Sequence, residues 1–107
     1  MNFVPNSGSL SIDPPKLTYL LQTDPGKAKF FAACGFDLSR PHELDAALRQ
    51  HPVLNPYYSV VHTSHGTKYI VRCSLPTPNR RNPCVRTVWI IDAGRTVPRF
   101  VTGYASP

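Results

Sequence analysis

The stretch YYSVVHTSHGTKYIVRCSL, residues 57–75, decides the fold. Two runs rich in β-branched and aromatic residues, YYSVVHT and TKYIVRCSL, flank SHGT. Alternation with period two predicts a pair of strands, and Gly66 suits the tight turn between them. With His65-Gly66 as the two-residue loop, Val61 falls opposite Ile70 and Ser59 opposite Arg72. One face then carries Tyr58, Val60, Tyr69, Val71 and Cys73. The other carries Ser59, Val61, Lys68, Ile70 and Arg72. The first face is the more apolar and predicts the core side.

Downstream, PTPNRRNP (76–83) reads as a loop with Arg80 and Arg81 at a solvated tip. CVRTVWIID (84–92) and VPRFVTGY (97–104) form a second hairpin around AGRT. Trp89, Ile91 and Val101 read as core, and Trp89 is expected there rather than as a platform for base stacking. If Val88 pairs with Thr102, then Arg86, Val88, Thr102 and Tyr104 share the opposite face. Arg99 precedes them on the last strand.

Upstream of residue 56 the period is helical. PPKLTYLL (14–21) suits one or two helical turns. In TDPGKAKFFAACGF, Asp24 suits an N-cap, Pro25 the first helical position and Gly35 the stop. Phe30, Phe31 and Cys34 lie on one stripe together with Lys27. A lysine in the first turn opposes the helix dipole. Either its stem covers apolar surface or it joins the free N–H groups of the helix start in holding a phosphate. The glycine spacing and the Ser/Thr of a P-loop are missing, so that motif is rejected. In SRPHELDAALRQHP, Ser39 is the expected cap and Pro52 the expected end, with Leu44, Ala47 and Leu48 buried. Residues 1–13, rich in Ser, Asn and Pro, are expected to form a flexible arm, leaving 14–107 as a single α+β domain. Its architecture is two to three N-terminal helices packed on one face of a four-stranded antiparallel sheet.

Charge is divided unevenly along the 107 residues. Residues 1–45 hold four basic and five acidic side chains, a net −1, whereas residues 46–107 hold eight basic side chains and one acid, Asp92, a net +7. A basic C-terminal half points to an anionic partner, either RNA or an acidic protein. The odd, widely spaced Cys34, Cys73 and Cys84 predict reduced thiols and a cytoplasmic setting rather than a disulfide framework. His62 and His65 form a lone HxxH without Cys or carboxylate companions, a weak metal signal. No apolar run is long enough to span a membrane and no signal peptide is evident. No cofactor is expected.

KLTYLL, GKAKFF followed by GF, HGTKYIV, RTVWIID and PRFVTGY occur in this order over residues 14–107. The chain thereby resembles a bacterial domain family of unknown function with KLxxYLL, GKxKAxFF, RTVW and PRLVTAY motifs. Members of such families look like C-terminal toxins of polymorphic toxin systems and like small toxin–antitoxin proteins. The helices-then-sheet order also resembles the fold shared by barnase, EndoU-type nucleases, colicin ribonuclease domains and RelE. The resemblance implies a metal-independent endoribonuclease toxin. Several toxins of that fold carry a histidine after a GKxxKH-like segment. GKAKFF lacks it, so a Lys, Arg and Tyr site of the RelE kind, or His62 or His65, has to serve.

Attack of a ribose 2′-hydroxyl on the adjacent phosphate needs cations for the phosphoryl oxygens and a proton donor for the leaving 5′-oxygen. Arg86, Thr102, Tyr104 and Lys68 are the expected catalytic residues. Lys27, Lys29, Arg72 and Arg99 are the expected substrate-binding residues. A small acidic antitoxin or immunity protein is the expected second partner. The rival reading is a non-catalytic module, either an RNA binder or an antitoxin- or immunity-like partner of another protein. The two are told apart by whether the basic residues converge or spread over a broad plate. An ADP-ribosyltransferase is disfavoured by the short chain and the lack of a nicotinamide-binding signature.

Overall fold

The computed structural model describes residues 2–106. Chain order runs α1 (Pro14–Thr18), a π-helical turn (Tyr19–Thr23), α2 (Pro25–Ala33) and α3 (Pro41–Leu54). Strands β1 (Tyr57–Thr63), β2 (Gly66–Ser74), β3 (Cys84–Asp92) and β4 (Arg99–Ala105) follow. The strands form one antiparallel sheet in the order β1-β2-β3-β4. This is the α+β architecture that the change of period at residue 56 predicts. Among the described residues no helix is long and apolar enough to cross a membrane.

The helices bury their apolar stripes against one sheet face. Leu17, Leu20, Phe31, Leu44 and Leu48 meet Val71, Val85, Trp89 and Phe100 in a single core. Trp89 packs edge-on against Phe100 with ring centroids 5.3 Å apart. Ile91 and Val101, expected in the core, are only half-buried; Val85 and Phe100 fill that role instead. Residues 2–13, expected as a flexible arm, bring Val4, Leu10 and Ile12 into the same core. Ser11 bridges β4 by donating its N–H to Pro98 and accepting from the N–H of Phe100. This single parallel bridge lies outside the four antiparallel strands.

Local signals fix the ends of α2 as expected. The Asp24 carboxylate accepts the N–H of Lys27 at 3.0 Å, a cap worth about 1 kcal/mol. At the other end Phe36 N–H bonds Phe31 C=O and Gly35 N–H bonds Ala32 C=O. Gly35 supplies the positive φ of 98° that this Schellman closure requires. In α3 two expectations are corrected. Arg40, not Ser39, is the N-cap residue, because the Ser39 N–H and hydroxyl both turn to the Asp37 carboxylate. Pro52 does not stop the helix, which runs on to Leu54. Pro52 occupies the final turn on the buried stripe, where only one backbone bond is forfeited.

The first hairpin is two residues tighter in register than expected. Thr63 pairs with Gly66, Val61 with Lys68 and Ser59 with Ile70, so Ser64 and His65 form the loop. A Cβ on Gly66 would lie 2.4 Å from the Ile91 carbonyl oxygen, and its φ is 151°. A shift of two leaves the alternation of faces intact. A bulge between Tyr57 and Ser59 does not. It sends Tyr57 to the core and leaves Tyr58, expected inside, 53% exposed. Val60 and Cys73, assigned to the core face, are exposed too.

Candidate functional site

Strands β3 and β4 pair with Val88 opposite Thr102 and Arg86 opposite Tyr104, the register on which the expected site depends. Directly opposed residues hold their Cα atoms about 5 Å apart and point to the same face. On the other side Arg72 lies opposite Arg86. Arg72, Arg86 and Tyr104 thus form one row across three strands, with Ile70, Val88 and Thr102 in the next. Like charges directly opposed on neighbouring strands repel one another, so this row concentrates positive charge on the sheet. Arg72 Nε donates to Ser106 Oγ at 2.9 Å. Arg86 is half-buried, and its Nε is shielded from solvent without a hydrogen-bond partner among the described residues.

The next contributor comes from α2. Lys27 reaches over the β4 edge and donates from Nζ to Thr102 Oγ1 at 3.0 Å. The same ammonium lies 5.2 Å from the Tyr19 ring centroid and 5.9 Å from that of Tyr104. Two rings therefore flank one cation, an arrangement that stabilises its charge away from bulk water. At the start of α2 the Lys27 N–H is taken by the Asp24 carboxylate, so it does not join the Lys27 ammonium in holding a phosphate. Asp24 is also the acceptor for the Tyr19 hydroxyl at 3.2 Å. Lys27 N–H holds the Asp24 carboxyl below its usual range, and the Asp24 hydrogen bond raises the Tyr19 phenol above its own. Tyr19 accordingly stays protonated and Asp24 ionised.

The side chains opposed in register take different neighbours. The Arg86 guanidinium lies over the Tyr58 ring, 5.6 Å from its centroid, while the Tyr104 ring sits beside Lys27. The surface therefore runs Tyr19, Lys27, Thr102 with Tyr104, Arg86, Tyr58. Beside Tyr19 and Thr102 a groove of about 360 Å³ opens, lined also by Asp13, Pro15, Lys16 and Val101. Lys16 Nζ donates to the Val101 carbonyl at 3.0 Å.

Other expected site residues stand apart. Lys68 shares the face but pairs with Ile90, four residues along β2 from Arg72, or about 14 Å. Arg99 joins the same face because a bulge between Val88 and Trp89 restores its parity, and it pairs with Ile90. Its guanidinium is held by the Asp92 carboxylate through bonds of 2.7 and 3.0 Å. Lys29 is exposed on α2; two residues from Lys27, it faces away from it. His62 is exposed at the far end of the first hairpin, with Nδ1 3.3 Å from Thr67 Oγ1. His65 is exposed in the loop. Among the described residues no cluster of His, Cys, Asp or Glu could hold a metal ion. Cys34, Cys73 and Cys84 are free thiols, and burial pushes Cys34 up.

Sequence reasoning missed Tyr19, Tyr58 and one buried histidine, and read Asp24 as a helix cap without its bond to Tyr19. His51 on α3 is fully enclosed. Its Nε2 lies 2.7 Å from the Cys73 carbonyl oxygen and its Nδ1 2.7 Å from Thr87 Oγ1. A carbonyl only accepts, so Nε2 carries the proton and Nδ1 accepts from the Thr87 hydroxyl. Thr87 in turn accepts from Trp89 Nε1 at 2.9 Å. The chain of bonds is satisfied with His51 neutral, and burial lowers its pKa. This histidine joins α3 to the sheet beneath Arg86 and is not open to a substrate.

No curated protein matches the chain. Among solved structures, its fold is similar to a chain of the contact-dependent growth inhibition toxin–immunity protein complex from Klebsiella pneumoniae 342. The TM-score is 0.75 at 14% identity, over 94% of this chain and 97% of that one. Residues 4–107 match the family described as Domain of unknown function (DUF6883), and the chain belongs to that family.

Proposed function

We propose that this domain is a bacterial toxin that cleaves RNA by 2′-hydroxyl attack, through a site built of Lys27, Thr102, Tyr104 and Arg86. The observation that carries the reading is convergence. Lys27 of α2 bonds Thr102 of β4 and lies beside the Tyr104 ring, and Arg72 of β2 and Arg86 of β3 stand in the row of Tyr104, whereas a binding plate would spread its charge. The fold shared with a chain of a toxin–immunity complex supports a place in a toxin–immunity pair, and the basic row beside Tyr104 favours the toxin of the two. The order of helices followed by a four-stranded antiparallel sheet resembles that of the barnase, EndoU, colicin and RelE nucleases, a likeness of architecture alone.

In this reading Lys27 and Arg86 take the non-bridging phosphate oxygens, with Arg72 adding charge beside Arg86. The 2′-oxygen attacks phosphorus and the bond to the 5′-oxygen breaks. Tyr104 gives the leaving oxygen its proton, and the proton of the 2′-hydroxyl passes to solvent. The products are a 2′,3′-cyclic phosphate and a 5′-hydroxyl end. The Thr102 hydroxyl, accepting from Lys27, directs its own proton to the phosphate. A small acidic immunity protein covers the Arg72–Arg86 row and blocks the site, since complementary charge speeds association.

Induced expression in bacteria tests the reading. Growth arrest with loss of intact RNA, relieved by co-expression of an acidic protein encoded beside the toxin, is expected. Growth unaffected by a folded, abundant protein contradicts it.

A further inference from the structure

Tyr19 and Tyr58 are aromatic side chains exposed at 39% and 53%, and neither belongs to the core. Each has a cation at its ring: Lys27 at 5.2 Å from Tyr19, Arg86 at 5.6 Å from Tyr58. The two cations stand on either side of the Tyr104 position, Lys27 near its ring and Arg86 opposite it in the sheet. Rings and cations thus alternate across this surface, from the helix edge to β1. The β1 bulge is what turns Tyr58 toward Arg86, since its neighbour Tyr57 packs inward against Tyr69 at 5.0 Å. Arg86 Nε is shielded from solvent and has no partner among the described residues, an unmet donor in the middle of this surface.

We infer that Tyr19 and Tyr58 are base-stacking platforms for a single-stranded RNA whose scissile phosphate sits between Lys27 and Arg86. The inference rests on the proposed ribonuclease reading and names its substrate class. Alternating rings and cations match the alternation of bases and phosphates along a strand. Bases offer their faces to such rings only when unpaired, because a duplex hides them in its own stack. The groove of about 360 Å³ beside Tyr19 leaves space for a base against that ring. Tyr58 and Tyr104 stand on strands three spacings apart, about 14 Å, so more than one nucleotide is engaged.

The test is fluorescence anisotropy with a short labelled RNA carrying 2′-O-methyl riboses, which cannot be cleaved by this route. The same strand annealed to its complement is the control. The single strand is expected to bind about tenfold or more tighter than the duplex. Tyr19→Ala and Tyr58→Ala each weaken single-strand binding about 5- to 100-fold. Tyr19→Phe and Tyr58→Phe retain it, since stacking needs the ring and not the hydroxyl. Equal affinity for the duplex, or both folded alanine variants binding like wild type, overturns the inference. So does a Tyr58→Ala variant that loses an acidic protein partner while RNA affinity is unmoved. Cleavage of unmodified RNA is scored separately. A wild type that binds with these tyrosine dependences yet cleaves nothing upholds the track and defeats only the catalytic reading.

Discussion

Lys27 Nζ and Thr102 Oγ1 meet at 3.0 Å across 75 residues of sequence, tying the first turn of α2 to the last strand. Lys27 therefore has two duties, locking the helix over the β4 edge and presenting charge between the Tyr19 and Tyr104 rings. The fold needs the first only weakly, because the bond is partly exposed and α2 is also held by Phe31 in the core.

Replacing Lys27 by Met separates these duties. Stability in urea should fall by less than about 1 kcal/mol, the scale of one hydrogen bond. RNA cleavage should fall by about 10- to 100-fold or more, as one charge stabilising the phosphoryl oxygens is lost. Lys27→Arg should recover part of the activity. A Met variant as active as wild type would remove Lys27 from the site.

Asp24 caps α2 and accepts from Tyr19. Asp24→Ala should cost about 1 kcal/mol in thermal or urea unfolding, the usual loss of an N-cap. Asp24→Asn keeps an acceptor but removes the charge. It should leave most of the stability while the Tyr19 phenol, now held up by Asp24, titrates closer to its ordinary value of 10.0. Spectrophotometric titration against a Tyr19→Phe control reads that change.

His51 predicts an acid limb to stability. Burial lowers its folded pKa below the ordinary 6.5, so the unfolded chain binds the extra proton first as pH falls. Its contribution is complete above about pH 6.5 and shrinks as pH drops from there toward the folded pKa. One proton limits the slope to roughly 1–2 kcal/mol per pH unit. Asp37 and Asp92 have lowered pKa values, so their contributions are lost only as pH falls through the acid range below about 4. Urea unfolding between pH 7.5 and 5, as a rough window clear of those carboxylates, isolates His51. His51→Leu should be less stable at neutral pH by about 2–4 kcal/mol, since it strands the Cys73 carbonyl and the Thr87 hydroxyl. Its stability should be flat across the same window. A wild-type curve already flat there would mean that His51 is not held neutral.

How much of this was legible follows from how local each signal is. The strands of the second hairpin were legible from their alternation, but the pairing of Val88 with Thr102 and Arg86 with Tyr104 entered only as an assumption, because the connection from Asp92 to Arg99 is long and a bulge between Val88 and Trp89 shifts the register. The Asp24 cap and the Gly35 stop are local. Tyr58 was not legible, because a bulge depends on how β1 meets β2 and no residue type in YYSVVHT marks it. Nor was the Lys27 contact with Thr102, which is set by the angle at which α2 crosses the sheet edge. His51 looked like an ordinary helix-end residue, and its carbonyl partner lies 22 residues away on a different element. The N-terminal segment has no period at all. Val4, Leu10 and Ile12 are fixed by the core and by Ser11 on β4, both distant in sequence.

The proposed 2′-hydroxyl attack at the Lys27, Thr102, Tyr104 and Arg86 surface would leave its signature in the RNA ends. The most direct test is to incubate the purified domain with single-stranded RNA in EDTA and determine the chemistry of the new ends, beside Arg86→Ala and Tyr104→Phe. The wild type is expected to leave 2′,3′-cyclic phosphate and 5′-hydroxyl ends. Rates should be lowered about 10²- to 10³-fold in the folded Arg86→Ala variant, with a marked loss in Tyr104→Phe. Intact RNA with the wild type, ends bearing 5′-phosphate, or full activity in both folded variants would contradict the proposed attack.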